Sequence, residues 1–524
     1  MGAKNEKKEE EKYFYKYFDN YSIVKLQPRL KNVHGSHTCQ IKLIINSDSP
    51  EKKSLNKEED NSKNPKSGGQ TEEQTVNTTT NMINFQKYFV MEYFFEKVQQ
   101  IEFVITGTIN GIIKTSLPNI LGAKNHTLNK RIEGTNGIIL EVKGSPNKSR
   151  ITSTLNIYLG INGNLKEKEL MYTIKTKGDN NNSQNNLLYK SEINTPLKNM
   201  KNICFKKCII PDIYICSDGN YDKSLIQIEI YDVKHNKKLG EYSGPLKSLI
   251  NNNTSINLDK VGTGNIFIDT IKNYSFLDYY LNRGMNINLS MAIDFTGSNG
   301  SPNNLNSLHY LGPNPNQYEI AIKACWNIIQ YYDYNQKIPA FGFGGKFYGM
   351  EIVDHCFPLN CNQEAPEING IDGLLEIYRD VLKNTKLFGP TFFHYVIDRL
   401  NSQIREDMAK ENYNDYNILM ILTDGIIEDI DETIDSLVES SYLPISIIII
   451  GIGNADFNYF ESINVDKMIL DMDGKNIDRN LIQFIPFKNF KNNIQKLGEE
   501  MFTKIQNQIV EYYQSKQIFP EEFI

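Results

Sequence analysis

Before residue 273 the apolar positions fall in short alternating or β-branched runs: Gln40 to Ile45, Tyr88 to Thr106, Gly137 to Lys143, Ser153 to Leu159, Leu225 to Asp232 and Gly264 to Asp269. Alternate side chains of a strand point to opposite faces, so such runs, spaced by turn residues, predict antiparallel β-sandwiches. Two of them fit, a first over residues 20–145 and a second over residues 148–272. The tract Glu51 to Thr80 (EKKSLNKEEDNSKNPKSGGQTEEQTVNTTT) has almost no apolar residue and cannot bury enough surface to offset its ordering entropy, which predicts a disordered insertion in the first domain. Lys177 to Asn186 (KGDNNNSQNN) reads as a similar polar insertion in the second, and residues 1–19 and 516–524 read as polar tails.

After Ser275 the pattern changes. Asn286 to Asp294 and Asn417 to Asp424 read as strands, and Ile445 to Gly453 (ISIIIIGIG) is apolar throughout, as a strand covered on both faces must be. Between them, Tyr318 to Tyr332, Gly370 to Lys383, Phe392 to Met408, Asp431 to Ser441 and Phe490 to Tyr513 carry helical spacing. Strands alternating with amphipathic helices predict a doubly wound, Rossmann-like α/β domain over residues 273–515.

Composition narrows the function. The chain of 524 residues is too long for one core, and its 57 Lys plus Arg against 63 Asp plus Glu give a net charge of -6, so the bulk field offers no reason to expect nucleic acid as a partner. No run of 18 apolar residues and no signal-peptide pattern occurs, which suggests a cytoplasmic or peripheral protein. Its seven cysteines are scattered and odd in number, against a disulfide framework. Cys204/Cys208 and His355/Cys356/Cys361 could supply zinc ligands, but no paired CxxC knuckle accompanies them. Gly2 meets one requirement of N-myristoylation, whereas Glu6 stands where Ser or Thr is usually wanted.

The chemistry is concentrated in three segments. Asp294-Phe295-Thr296-Gly297-Ser298 follows a predicted strand, Asp424 ends a second in LTDG, and Thr391 lies in GPT just before a helix. Side chains at these places emerge at the carboxyl edge of the sheet, where open α/β folds bind ligands. Two carboxylates and three hydroxyls form a hard oxygen set that suits Mg2+ or Mn2+ and disfavours zinc or copper. An isolated D-x-T-x-S arises by chance, and an Asp at a strand end is often a helix N-cap; the ordered occurrence of all three segments on an α/β pattern favours a metal site of the von Willebrand factor type A kind. An open coordination position there would accept a partner's carboxylate.

Enzyme readings are weaker. A phosphohydrolase of the haloacid dehalogenase type needs a second carboxylate two residues after its nucleophilic Asp, and that position is Thr296. Gly342 to Lys346 (GFGGK) is similar to a phosphate loop, yet Ala340 and Phe347 stand where a Walker A has Gly and Ser or Thr, so a strand-to-turn segment is expected. His309, His355 and His394 remain candidate bases, each expected on a loop or helix surface.

SFLDYY (Ser275 to Tyr280), AIDFTGSNGSP (Ala292 to Pro302), YYDYNQKIPAFGFGGK (Tyr331 to Lys346), LFGPT (Leu387 to Thr391), ILTDGIIED (Ile421 to Asp429) and LPISIIIIGIGNADF (Leu443 to Phe457) closely resemble copine signatures. The resemblance covers nearly all of Ser275 to Tyr513, and SNG and GNADF are not general features of type A domains. It implies two C2 domains before the type A domain, with MEYFFEKVQQIEFVI (Met91 to Ile105) and SLIQIEIYDVKHNKKLGEY (Ser224 to Tyr242) similar to the late strand pair of each. It also implies calcium-responsive phospholipid binding.

The departures fall where calcium would bind. C2 domains hold Ca2+ through several Asp carboxylates. The first domain has Thr106 and Gly107 where the late-loop Asp is expected, and the second keeps Asp232 but has Lys234 two residues on and NGNLKEKEL (Asn162 to Leu170) for its early loop. Both C2 domains are therefore expected to be weak or incompetent for Ca2+, with Asp232 as a residual loop residue. The expected function is a non-enzymatic, copine-like adaptor: the C2 domains meet a phospholipid surface at the plasma membrane or another membrane, and the type A domain grips a client protein through Mg2+ or Mn2+ at Asp294, Thr296, Ser298, Thr391 and Asp424. The alternative is a metal-dependent, phosphohydrolase-like enzyme on the same α/β fold. Ubiquitin ligation is not expected, since no Cys/His array follows the type A domain.

Overall fold

The computed structural model describes residues 22–34, 37–45, 66–71, 74–76, 81–146, 153–177, 186–197, 200–216, 220–272, 274–410, 413–457, 460, 474, 476–491 and 493–520. Residues 148–274 form one compact unit, and residues 1–147 with 275–524 form another.

The larger unit begins with a β-sandwich. One sheet runs Met82–Asn84, Ser22–Lys31, Ile139–Pro146, Thr127–Arg131, with Phe89–Tyr93 also on Ser22–Lys31; the other runs Lys66–Gln70, His37–Ile45, Gln100–Gly107, Gly111–Ser116, with Gln74–Val76 also on His37–Ile45. Val24, Leu26 and Leu30 on one sheet and Ile41, Leu43, Phe103 and Ile105 on the other are buried, as the period-two pattern requires. The run Tyr88 to Thr106 is two strands, because Gln99 caps a turn between them: its Nε2 donates to Glu92 O at 2.8 Å and its Oε1 accepts from Phe94 N at 3.0 Å.

The expected insertion Glu51 to Thr80 needs correction. Lys66–Gln70 and Gln74–Val76 pair antiparallel with His37–Ile45. Thr71 between them bonds Ile41 twice, N to O at 2.8 Å and Ile41 N to its Oγ1 at 2.9 Å. A sheet edge offers backbone donors and acceptors that a polar segment can satisfy without burying apolar area, so composition alone missed these strands. Residues 51–65, 72–73 and 77–80 lie outside the described residues, as do residues 178–185 of the second polar tract, whose ends, Lys177 and Asn186, belong to strands. The first 21 residues and residues 521–524 of the tails lie outside them too.

The smaller unit is a second sandwich. Asn202–Cys204, Ser153–Gly163, Gly262–Lys272 and Thr254–Leu258 make one sheet, with Cys208–Pro211 also on Ser153–Gly163; Asn186–Lys190, Leu170–Lys177, Leu225–Asp232 and Lys237–Pro245 make the other. Leu155, Ile157, Leu159 and Ile161 meet Tyr172, Ile174, Ile226, Ile228 and Ile230 in one core.

From Asn286 onward the larger unit is α/β. Its sheet order is Phe357–Pro358, Lys337–Phe343, Asn286–Asp294, Asp415–Thr423, Ile445–Gly451, Ile482–Pro486. The last five of these are parallel to their neighbours, and Phe357–Pro358 and Glu367–Asn369 add antiparallel edges to Lys337–Phe343. Asn286–Asp294 comes first in the chain yet lies between the second and third parallel strands, so the winding reverses there and opens a crevice at its carboxyl end. Helix His394–Ala409 buries Val396, Ile397, Leu400 and Ile404 against Leu419, Ile421, Ile445, Ile447 and Ile449. Helices Gln317–Ile329 and Ile494–Met501 approach closely at Gly498, where a Cβ would stand 2.7 Å from Ala324 O.

The expected single helix Phe490 to Tyr513 is broken into a 3-10 turn Phe487–Phe490 and helices Ile494–Met501 and Ile505–Ser515. The break serves packing between the first sandwich and the α/β domain. Phe502, in the break, meets Phe95 of the sandwich at 5.7 Å between ring centroids, and Phe95 also meets Phe276 at 4.9 Å and Tyr332 at 4.5 Å. Beside them Tyr93 OH donates to Tyr332 OH at 2.7 Å.

Candidate metal site

Asp294 ends the central strand and is fully buried. Its Oδ1 accepts from Thr296 N at 2.8 Å and Thr296 Oγ1 at 2.6 Å, and its Oδ2 accepts from Thr423 Oγ1 at 2.6 Å. Thr296 Oγ1 lies 2.9 Å from Ser298 Oγ, which donates to Asp424 Oδ1 at 2.8 Å. The four expected residues Asp294, Thr296, Ser298 and Asp424 thus form one chain of oxygen contacts at the switch point. Thr391 comes to the same place by its backbone: its N donates to Glu428 Oε1 at 3.3 Å, its O accepts from Glu428 N at 3.0 Å, and a Cβ on Gly425 would stand 3.3 Å from its Oγ1.

Burial holds the Asp294 carboxyl above the usual range, and burial together with the Asp294 charge pushes Asp424 up to about 7. Among the described residues no ammonium or guanidinium group pairs with either carboxylate. Two buried carboxylates that share hydroxyl neighbours and lack a cationic side chain fit a hard divalent cation, and the absence of sulfur and imidazole from the set argues for Mg2+ or Mn2+. Among the described residues no group of three or more His, Cys, Asp or Glu is placed to hold a metal.

A supporting shell escaped the sequence reading. Asn299 Nδ2 donates to Asp424 Oδ1 at 3.0 Å and its Oδ1 accepts from Tyr318 OH at 2.7 Å. His309, expected on a surface, is fully buried, with Nε2 2.8 Å from Asp294 O and Nδ1 2.7 Å from Tyr378 OH. Burial lowers its pKa to about 3, so the ring is neutral and bridges these groups. Asn299 stands in the SNG signature, which was the available signal; His309 was singled out only as a candidate base, and its pairing with Tyr378 across 69 residues of chain had no signal. His394 Nδ1 bonds Asp429 Oδ2 at 2.6 Å beside the start of its own helix, and His355 rests against Phe392 and Tyr395 at 4.6 and 5.5 Å. GFGGK ends a strand and turns, with Gly344 at φ +77° beside Thr296.

The loops expected to bind calcium hold neutral or paired groups. In the first sandwich Asn110 closes the late loop on Gly107, and His37 Nδ1 lies 3.1 Å from Thr108 Oγ1. In the second, Asp232 is buried, and Lys168 of the early loop donates to its Oδ2 at 2.8 Å, with His235 Nδ1 2.7 Å from the same oxygen. Burial alone would raise the Asp232 pKa, but the bonds from Lys168, His235 and Glu169 N outweigh it and hold the carboxyl below its usual value. A depressed folded pKa stabilises the fold above the unfolded pKa of about 4, and the gain is lost as pH falls through the folded value. Lys168→Met is expected to cost the second sandwich about 1–3 kcal/mol at neutral pH and to lose most of that difference in acid, which urea unfolding at both pH values measures.

A doubly wound α/β domain with an oxygen-lined crevice at its switch point is the class that the second half of the chain defines. The family model described as Copine matches residues 307–521. The match begins past Ser298 and includes Thr391 and Asp424. Similar solved structures include the calcium-bound pair of C2 domains of Extended-Synaptotagmin 2 (9% identity, 48% of this chain and 97% of that one, TM-score 0.18). A manganese-loaded Plasmodium vivax TRAP protein matches at 12% identity over 43% of this chain and 74% of its own, TM-score 0.26. BON1-C2B matches at 17% identity over 24% and 93%, TM-score 0.17.

Proposed function

We propose that this protein is a membrane-associated adaptor without catalytic activity, in which the sandwiches meet a phospholipid surface and the α/β domain captures a client protein through Mg2+ or Mn2+. The observation that carries the client site is the convergence of Asp294, Thr296, Ser298 and Asp424, with Thr391 beside Gly425, at the carboxyl edge of the sheet. These residues would hold the cation, and the bound cation supplies a Lewis-acidic position for a carboxylate of the client. The match of residues 307–521 to the Copine family model supports the same reading. Against the phosphohydrolase alternative stands Thr296 where that mechanism needs a carboxylic general acid, and His309 faces the Asp294 backbone.

No helix of the described residues is long and apolar enough to cross a membrane, which suits peripheral association. Capture of client proteins by the full chain in Mg2+, lost in chelator and regained with Mn2+, is the expected result of an affinity pull-down. Identical capture with and without metal sinks the adhesion reading, and a metal-dependent turnover of phosphoester substrates sinks the non-enzymatic one.

A further inference from the structure

Thr391 reaches the metal site by a different route from its companions. Asp294 ends a strand of the central sheet and Asp424 directly follows one, whereas Thr391 stands three residues ahead of helix His394–Ala409. Its segment is tied at both ends. Upstream, Phe388 N donates to Phe295 O at 3.2 Å and Gly297 N donates to Phe388 O at 2.7 Å; downstream, the buried ring of Phe393 meets Phe343 at 5.5 Å.

The third tie comes from the loop that begins at Asp424. Glu428 brackets Thr391, accepting from its N through Oε1 at 3.3 Å and donating its own N to Thr391 O at 3.0 Å. Asp429 takes the next residues through one oxygen: its Oδ2 accepts from Phe393 N at 2.8 Å and His394 N at 2.9 Å, and lies 2.6 Å from His394 Nδ1.

The stability of either helix alone does not call for this arrangement. Asp429 precedes helix Ile430–Ser440, where an Asp ordinarily accepts from an N–H of its own first turn. Among the described residues its side chain makes no such bond, and its Oδ1 is buried without a partner. Phe393 precedes helix His394–Ala409 and has no side-chain acceptor, so that helix takes its cap from a residue 36 positions further along the chain. A buried carboxylate oxygen without a donor costs stability, and a cap within each helix would avoid that cost. What the crossed cap achieves is a fixed distance between the Thr391 segment and the Asp424 loop.

We infer that Glu428 and Asp429 are positioning residues, a clamp that holds the Thr391 hydroxyl beside Gly425 and Asp424 and so sets the affinity of the site for Mg2+ or Mn2+. The inference rests on the metal reading proposed above and adds to it two residues that act through a ligand. Outer groups that orient a metal ligand typically contribute tenfold or more to affinity, and here the effect is bounded by what the Thr391 oxygen itself contributes.

The test is isothermal titration of the full chain with Mg2+ and with Mn2+. Thr391→Ala and Asp429→Ala are each expected to weaken binding about tenfold, and the double variant no further, since both remove the same oxygen from the site. Asp429→Asn keeps an oxygen that accepts both backbone N–H bonds and is expected to bind within about twofold of the unaltered chain. Glu428 is exposed, so Glu428→Ala, expected to weaken binding about threefold and to be rescued by Glu428→Gln, replaces Asp429→Ala in the cycle should circular dichroism show that variant unfolded. Losses that add in the double variant, or Asn and Gln variants as weak as the Ala ones, overturn the clamp and leave the metal reading standing. Absence of saturable binding by the unaltered chain overturns the metal reading and the clamp with it.

Discussion

Asp424→Asn is expected to abolish saturable binding of Mg2+ or Mn2+, a loss of at least about a hundredfold in affinity by isothermal titration. The substitution keeps the shape of a side chain whose Oδ1 accepts from Ser298 and Asn299, and it removes the charge. Asp294→Asn is expected to do the same, at a further cost to the fold, since Asp294 Oδ2 anchors Thr423 in the neighbouring strand. Ser298→Ala removes one neutral oxygen and is expected to weaken binding by about tenfold, because hydroxyls contribute less than carboxylates to a hard cation. A Kd that does not change in Asp424→Asn would mean that these oxygens hold no metal and would leave the crevice without its proposed chemistry.

Phe95→Ala is expected to destabilise the larger unit by about 3–5 kcal/mol. Phe95 is fully buried, with ring contacts to Phe276, Tyr332 and Phe502 of the α/β domain. Truncation leaves a cavity between two domains that share few covalent constraints, so the loss falls on their coupling. Chemical denaturation is expected to show the first sandwich unfolding ahead of the α/β domain in the variant, where the unaltered chain loses both together. Tyr93→Phe tests the neighbouring bond with Tyr332 and is expected to cost about 1 kcal/mol. A variant Phe95→Ala that unfolds like the unaltered chain would show the contact to be incidental.

The candidate metal residues were legible in sequence because each sits at or just after the end of a strand or before a helix, where the backbone itself dictates which edge of the sheet the side chain reaches. Asn286–Asp294 and Leu225–Asp232 lie where periodicity put them, and the SNG and LTDG segments announced their own positions. What failed was everything that depends on a distant partner. His309 reads as a loop histidine until Tyr378 and the Asp294 carbonyl enclose it. Lys234 was the expected antagonist of calcium at Asp232, yet Lys168 makes the pair, since the early loop lies over the carboxylate. The polar stretch at Lys66–Gln70 became a strand because an edge needed pairing, and the helix near Phe502 broke because an aromatic cluster needed that side chain.

By itself, then, the sequence determined the alternation of strands and helices, the two sandwiches before an α/β domain, and the candidate oxygen set at Asp294, Thr296, Ser298, Thr391 and Asp424, all of which follow from local periodicity and short motifs. Only the tertiary structure decided the shell of Asn299, His309, Tyr318 and Thr423, the Lys168 pair that fills the calcium loop, and the packing of Phe95 against the α/β domain. Those depend on contacts between residues far apart in the chain, whose energies arise from burial and satisfied hydrogen bonds that no local window contains.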